Sequence, residues 1–246
     1  MEIKSLVEFE KSGGIKAFYT EKPYMAWNIC KEEDHADYHA LALELGGDIS
    51  KMVRVNQKHT TNIRIVTSEE CGEGVISPAV GEYDGMVTNE EGVILCTVEA
   101  DCAPVYIYDP IKRAIAMVHS GRKGTAEGIV ANAIRTMAQR YGCNPADLQV
   151  AIGPCICGSC YEVGEEVLAE FHPFFTEDDI NRFAINIHDN KYLLDNKRAI
   201  IITLLRLGVS EDNIYDCGVC TYETETVCSY RRDHDGGRML TGIMMV

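Results

Sequence analysis

Apolar residues along the chain fall into two regimes. Between Lys51 and His119 they come in short β-type runs, Met52–Val55, Val93–Val98, Val105–Tyr108 and Ala114–Val118, separated by Gly, Asp, Asn and Pro. Runs this short and this closely spaced predict an antiparallel or mixed sheet. From Ala126 to Tyr141 the spacing changes to three and four. Ile129, Val130, Ala133, Ile134, Met137, Ala138 and Tyr141 then share one helical face, and Gly142 followed by Pro145 supplies the stop. Further helices are predicted over Glu33–Leu45, ended by Gly46-Gly47, over Tyr161–Phe171, and over Lys191–Leu207, ended by Gly208. Short strands return at Ile214–Cys217 and Val227–Tyr230, and Thr176–Asn181 reads as a surface connection. Strands followed by helices, with no repeat, low-complexity tract or Pro/Ser-rich linker, indicate one α+β domain over residues 1–246 with helices covering the sheet faces.

Charge narrows the partners. With 23 Lys+Arg against 38 Asp+Glu the formal charge is −15, which argues against a general nucleic-acid binder. It leaves room for a local basic pocket, because net charge governs steering rather than site chemistry. No apolar run approaches the ~20 residues of a bilayer span, and Met1-Glu2-Ile3-Lys4 lacks a signal pattern, so a cytoplasmic protein is expected. Eleven cysteines, an odd number in a chain of this length, do not suggest a small disulfide scaffold. Most are expected to be packing residues, with one or two carrying chemistry.

Three segments place metal-ligand residue types at strand ends or in tight loops. They are Asn56-Gln57-Lys58-His59-Thr60, Glu99-Ala100-Asp101-Cys102-Ala103-Pro104 and His119-Ser120-Gly121-Arg122-Lys123-Gly124-Thr125. Their spacing matches no local zinc-finger pattern. If His59, Cys102 and His119 converge, two imidazoles and a thiolate make an open zinc site, three protein ligands being the catalytic arrangement. In the third segment, glycines flank Arg122-Lys123 ahead of a helix expected near Thr125, which suits a phosphate-like anion or, more plainly, a turn with two solvated cations. Cys155-x-Cys157-x-x-Cys160, with Cys217-x-x-Cys220 and Cys228, has thiol spacing that a structural metal could use, but buried packing cysteines are the expectation. No Gly-x-Ser-x-Gly elbow occurs. A cysteine hydrolase would use Cys102 as nucleophile, His119 or His59 as base, and Asp101 or Asp84 as the orienting carboxylate.

The ordered blocks across Val53–Gly242 resemble the YfiH-like family, historically labelled multicopper polyphenol oxidoreductase or laccase and associated with purine nucleoside phosphorylase activity. They include Gln57-x-His59, Tyr83-Asp84-Gly85-Met86-Val87-Thr88, Ala100-Asp101-Cys102-x-Pro104 and Val118-His119-x-Gly121. Gly124-Thr125, Ala151-Ile152-Gly153-Pro154-Cys155-Ile156, Cys160-Tyr161-Glu162-Val163-Gly164, Ser229-Tyr230-Arg231-Arg232-Asp233 and Gly237-Arg238 follow.

The resemblance implies an αββα-type layered sandwich with zinc held by His59, Cys102 and His119. It also implies phosphorolysis of adenosine, inosine and 5′-methylthioadenosine, with adenosine deamination alongside. Asp84 is expected to move a proton in deamination, and Arg122, Lys123 and Arg231 to position phosphate. The expected partners are a purine nucleoside and phosphate, neither nucleic acid nor membrane, with a homodimer allowed. This chain departs from the family in having Arg122-Lys123 where Trp-Arg is usual, Lys58-His59-Thr60 where Val-His-Gly is usual, and Phe18-Tyr19-Thr20-Glu21-Lys22 in place of a Thr-Arg-Gly-Gly block. Other readings are a copper-dependent polyphenol oxidase, the cysteine hydrolase, and a non-enzymatic metal- or partner-binding protein. The oxidase reading is disfavoured by seven histidines without a His-x-His pair.

Overall fold

The computed structural model describes residues 3–26 and 35–246. The chain begins with β1 (Ile3–Ser5), α1 (Val7–Glu10), β2 (Ile15–Thr20) and α2 (His35–Glu44). Strands β3 (Met52–Arg54), β4 (Ile63–Ile65), β5 (Gly85–Thr88), β6 (Ile94–Glu99), β7 (Ala103–Asp109) and β8 (Ala114–Ser120) follow. Next come α3 (Arg122–Ala126), α4 (Ile129–Tyr141), β9 (Gln149–Ile152), β10 (Glu162–Gly164), α5 (Glu165–Leu168) and α6 (Glu177–Phe183). The last elements are β11 (Ala184–His188), β12 (Lys191–Leu194), α7 (Asn196–Leu207), β13 (Ile214–Asp216), α8 (Tyr230–Asp233) and β14 (Met239–Met245).

Two sheets pack face to face. One has the order β1-β2-β14-β6-β3 and the other β13-β9-β7-β8-β5-β4; a small sheet, β10-β12-β11, lies apart. Alternation along the strands assigns each face. From β6, Leu95 enters the core between the two sheets, where it joins Tyr106, Met117 and Ile243, while Ile94, Cys96 and Val98 pack on the other side with Leu41 and Ala42 of α2. From β7 and β8, Val105, Ile107, Ala116 and Val118 turn outward onto Ile134 and Met137 of α4 and Ile200 of α7. Because both faces of the central strands are covered, β6, β7 and β8 are buried along their whole length. The layering is therefore helix, sheet, sheet, helix, as the resemblance implied.

Several boundaries differ from the sequence reading for physical reasons. The Ala126–Tyr141 helix is interrupted by Gly128, in the left-handed region at φ 80°, where a Cβ would stand 2.6 Å from the Phe174 ring. The Tyr161–Phe171 helix is replaced by β10 and the single turn of α5, because Glu162–Gly164 pair with Lys191–Leu193. That pairing also converts the start of the Lys191–Leu207 helix into strand, and the Asp195 side chain caps α7 by accepting from Arg198 N. Thr176–Asn181 is not a plain connection. Thr176 and Asp179 form a reciprocal capping box that starts α6. Val227–Tyr230 is not a strand, since Ser229 caps α8 instead. Of the Glu33–Leu45 helix, Glu33 and Asp34 lie outside the described residues, and the rest is α2. No helix among the described residues is long and apolar enough to cross a membrane.

Candidate active site

The connections β3–β4 and β6–β7 both cross from the five-stranded to the six-stranded sheet. His59 sits on the first and Cys102 on the second, while His119 is near the end of β8. Pro104 pairs with His119 and Ala103 with Ser120, so one step further along the ladder brings Gly121 opposite Cys102. A side chain at Gly121 would not fit: its Cβ would lie 2.9 Å from both Cys102 Sγ and His59 Cδ2. The three ligand atoms of His59, Cys102 and His119 all lie within 4.8 Å of one another. Cys102 Sγ is 3.9 Å from His59 Nε2, and the two imidazole centroids are 4.9 Å apart at 74°.

Asp84 precedes β5 and lies across the ladder from His119. It is fully buried, and it accepts from His119 Nδ1 at 2.8 Å, Lys58 N at 3.1 Å, His59 N at 3.0 Å, Thr60 N at 2.6 Å and Thr60 Oγ1 at 2.9 Å. One carboxylate thus fixes the His59 loop and the His119 ring together. Accepting the Nδ1–H bond leaves His119 Nε2 as the ring nitrogen open to a metal, the usual support of a metal-binding imidazole. Asp84 does not line the cleft, and both its oxygens are occupied. Its hydrogen bonds place it to position the His119 ring and the His59 loop.

Desolvation opposes charge at Asp84, Cys102 and His119, and in each case neighbouring groups outweigh it. His119 and His59 bring the Cys102 thiol down to about 6, Cys102 and Asp84 raise His119 to about 10, and His119 with the loop amides holds Asp84 at about 2. The cysteine is therefore set to act as a thiolate, the form that ligates a metal or attacks carbon. The adjoining backbone is held in an uncommon region, with φ 59° at His59 and 82° at Asp101. Asp101 is fastened by Thr221 Oγ1 at 2.6 Å and Arg231 N at 2.7 Å. Behind His119, burial pushes the carboxyl of Glu99 up to about 7, and Thr241 Oγ1 donates to it at 2.7 Å.

The three groups open into a cleft of ≈ 430 Å³, within the range of small-molecule sites. Its walls carry Arg122, Arg231 and Arg238, with Tyr161, Tyr230 and Asn196. Arg231 stacks on Tyr161 at 5.0 Å and Arg238 on Tyr230 at 5.7 Å, while Arg122 is ion-paired with Glu170. Asn196 donates to Ser120 O at 3.0 Å, and its buried Oδ1 has no protein partner among the described residues. Lys123 is exposed and does not line the cleft. The expected anion loop is the first turn of α3, which turns Arg122 inward and Lys123 away. Sequence reasoning named neither Arg238 nor Asn196, nor the two tyrosines, as site residues. Only the Gly237-Arg238, Cys160-Tyr161 and Ser229-Tyr230 blocks carried a signal for any of them.

Residues 10–246 match the family model described as multi-copper polyphenol oxidoreductase laccase. The chain belongs to that family. Among curated members of the laccase-type family, it is 30% identical over 245 residues to the protein named purine nucleoside phosphorylase YlmD of Bacillus subtilis, covering 96% of this chain and 86% of the relative. It is 35% identical over 208 residues to the purine nucleoside phosphorylase SCO2081 of Streptomyces coelicolor, covering 83% and 79%. The crystal structure of the Bacillus licheniformis hypothetical protein YfiH superposes with a TM-score of 0.88 at 27% identity, covering 96% of this chain and 95% of that one. YlmD from Geobacillus stearothermophilus gives 0.86 at 30%, covering 95% and 92%. The family name alone does not carry copper oxidation to this chain. His59 and His119 are the only histidines in any described group that could hold a metal ion, and a trinuclear cluster needs more.

Proposed function

We propose that this protein is a zinc-dependent purine nucleoside phosphorylase, acting on adenosine, inosine and 5′-methylthioadenosine, with adenosine deaminase activity alongside. The observation that carries it is the meeting of His59, Cys102 and His119 at a cleft whose walls combine arginines with tyrosines. The donor set fits zinc: two imidazoles and a pre-ionised thiolate, with the second imidazole oriented by a carboxylate. Bound there, zinc would supply Lewis acidity at an open fourth position.

The chain's own residues supply the rest. Arg231 and Arg238, each held against an aromatic ring, bind phosphate beside the ribose, and Arg122 completes the cationic wall. Tyr161 and Tyr230 provide faces for the purine. The open Oδ1 of Asn196 accepts from a substrate N–H or hydroxyl. In phosphorolysis a phosphate oxygen bonds to C1′, the C1′–N bond breaks, and the base leaves with the electron pair. Holding phosphate and nucleoside in line is where positioning lowers the barrier. Asp84 acts indirectly, through the His119 ring and the His59 loop.

Incubating adenosine with zinc-loaded protein, with and without phosphate, tests this reading. Adenine and ribose 1-phosphate formed only with phosphate establish phosphorolysis, and inosine formed without it establishes deamination. Unchanged nucleoside in both tubes refutes both. A second reading rests on the same geometry, because Cys102, His119 and Asp84 also have the order of a nucleophile, base and orienting carboxylate. Such a hydrolase keeps its activity in chelator, whereas the phosphorylase loses it.

A further inference from the structure

A second cluster lies beyond the cleft wall. Cys157, Cys160, Cys220 and Glu223 place their ligand atoms within 4.8 Å of one another. Two tight turns build it. Cys160 N donates to Cys157 O at 3.1 Å, and Thr224 N donates to Cys220 O at 3.0 Å, so each turn presents an x-x-spaced pair, Cys157 with Cys160 and Cys220 with Glu223. A parallel bridge between Cys155 and Cys220 sets the turns side by side, and Cys157 N donates to Cys220 Sγ at 3.4 Å. Gly158 lets the first turn approach α7, since a Cβ there would stand 2.8 Å from Asp195 Cβ. The second turn is fastened by Arg232, which donates to Thr221 O at 2.6 Å, Tyr222 O at 3.2 Å and Thr224 O at 3.0 Å.

We infer that the two turns form a second metal site, taking one zinc-class cation through the sulfurs of Cys157, Cys160 and Cys220 and a carboxylate oxygen of Glu223. Three sulfurs and one oxygen complete a closed tetrahedron, the arrangement of a structural site as opposed to a catalytic one. One edge can be compared directly. Legs of about 2.3 Å to sulfur and about 2.0 Å to oxygen at the tetrahedral angle require a sulfur–oxygen edge of about 3.5 Å. Cys160 Sγ and Glu223 Oε1 are 3.6 Å apart. Binding displaces the thiol protons to solvent. It would clamp the loop that carries Ile156 and Tyr161 into the cleft to the loop whose Thr221 holds Asp101. The inference is independent of the reaction proposed for the cleft.

Metal content after zinc loading under reducing conditions and gel filtration tests it directly. Two equivalents are expected for the unaltered chain. One is expected for Cys102→Ala and one for the double variant Cys157→Ser/Cys160→Ser. Cobalt loading of Cys102→Ala should retain an intense thiolate-to-metal band. Glu223→Gln, at an exposed position, should weaken the second equivalent at least tenfold and leave the first unchanged. It decides the matter should the double variant fail to fold. Two equivalents in the double variant would overturn the site. So would a single equivalent in the unaltered chain that vanishes in Cys102→Ala, or unchanged affinities in Glu223→Gln.

Discussion

A single carboxylate serves four neighbours behind the cleft: Asp84 binds the His119 ring and the amides of Lys58, His59 and Thr60. Asp84→Asn replaces one accepting oxygen with a donor that faces those N–H groups. Zinc affinity, measured by chelator competition, should fall about 10–100-fold, the usual loss when an outer partner of a ligand is removed. Gly121→Ala acts from the other side, pressing on Cys102 Sγ and His59 Cδ2. It should lower both bound zinc and turnover while far-UV circular dichroism stays unchanged; full activity would show that the pair yields without cost. His59, Cys102 and His119 could be picked as candidates from residue type and their places at strand ends, and the fold brings them together. Arg238, Tyr230 and Asn196 could not. Nothing in their local sequence says which cleft they face, since that depends on where α7 and the segment between α8 and β14 pack.

Among the elements, α6 offers a titratable test. Asp179 is opposed by burial, but its bonds to Thr176 and its ion pair with Arg206 hold its carboxyl below the usual range. A lowered folded value means that the unfolded chain binds more protons between the two titrations, so stability rises with pH there. The contribution is complete above the unfolded value of about 3.9 and is lost as pH falls through the folded one. Asp179→Asn should therefore be less stable than the unaltered chain at pH 7, by about 1 kcal/mol for the capping box alone, seen as a lower Tm, and the gap should close in strong acid. The Thr-x-x-Asp capping pattern stands in the sequence there, but the polar composition of Thr176–Asn181 reads as a surface connection. The helical half of α4 was legible because seven apolar positions share one face. β14 was not: Gly242 and its methionines carry a weak strand signal, although Gly242 is demanded by the Phe18 ring, 2.7 Å from where a Cβ would be. Tyr161–Phe171 misled because its apolar spacing suits a helix, while pairing with β12 prevailed.

At the scale of the molecule, His59 and Cys102 both stand on chain crossings between the two sheets, and His119 belongs to the second sheet. A cation shared among them would tie one layer to the other and so link binding to folding. Free zinc at a hundred times its dissociation constant should raise stability by about 2.7 kcal/mol per site. Differential scanning calorimetry should show Tm rising with zinc and a smaller rise in Cys102→Ala; an equal rise would remove the cleft from that linkage.

The position of β14 has a consequence for synthesis. It lies between β2 and β6 in the middle of the five-stranded sheet, yet it follows every other strand described in the sequence. On the ribosome, the neighbours on either side emerge first and wait with open hydrogen-bonding edges, the condition in which chains aggregate or recruit chaperones. Translation order and sheet order thus run against each other here, and the layer that carries Glu99 toward His119 closes only when Met239–Met245 slides between strands made long before it.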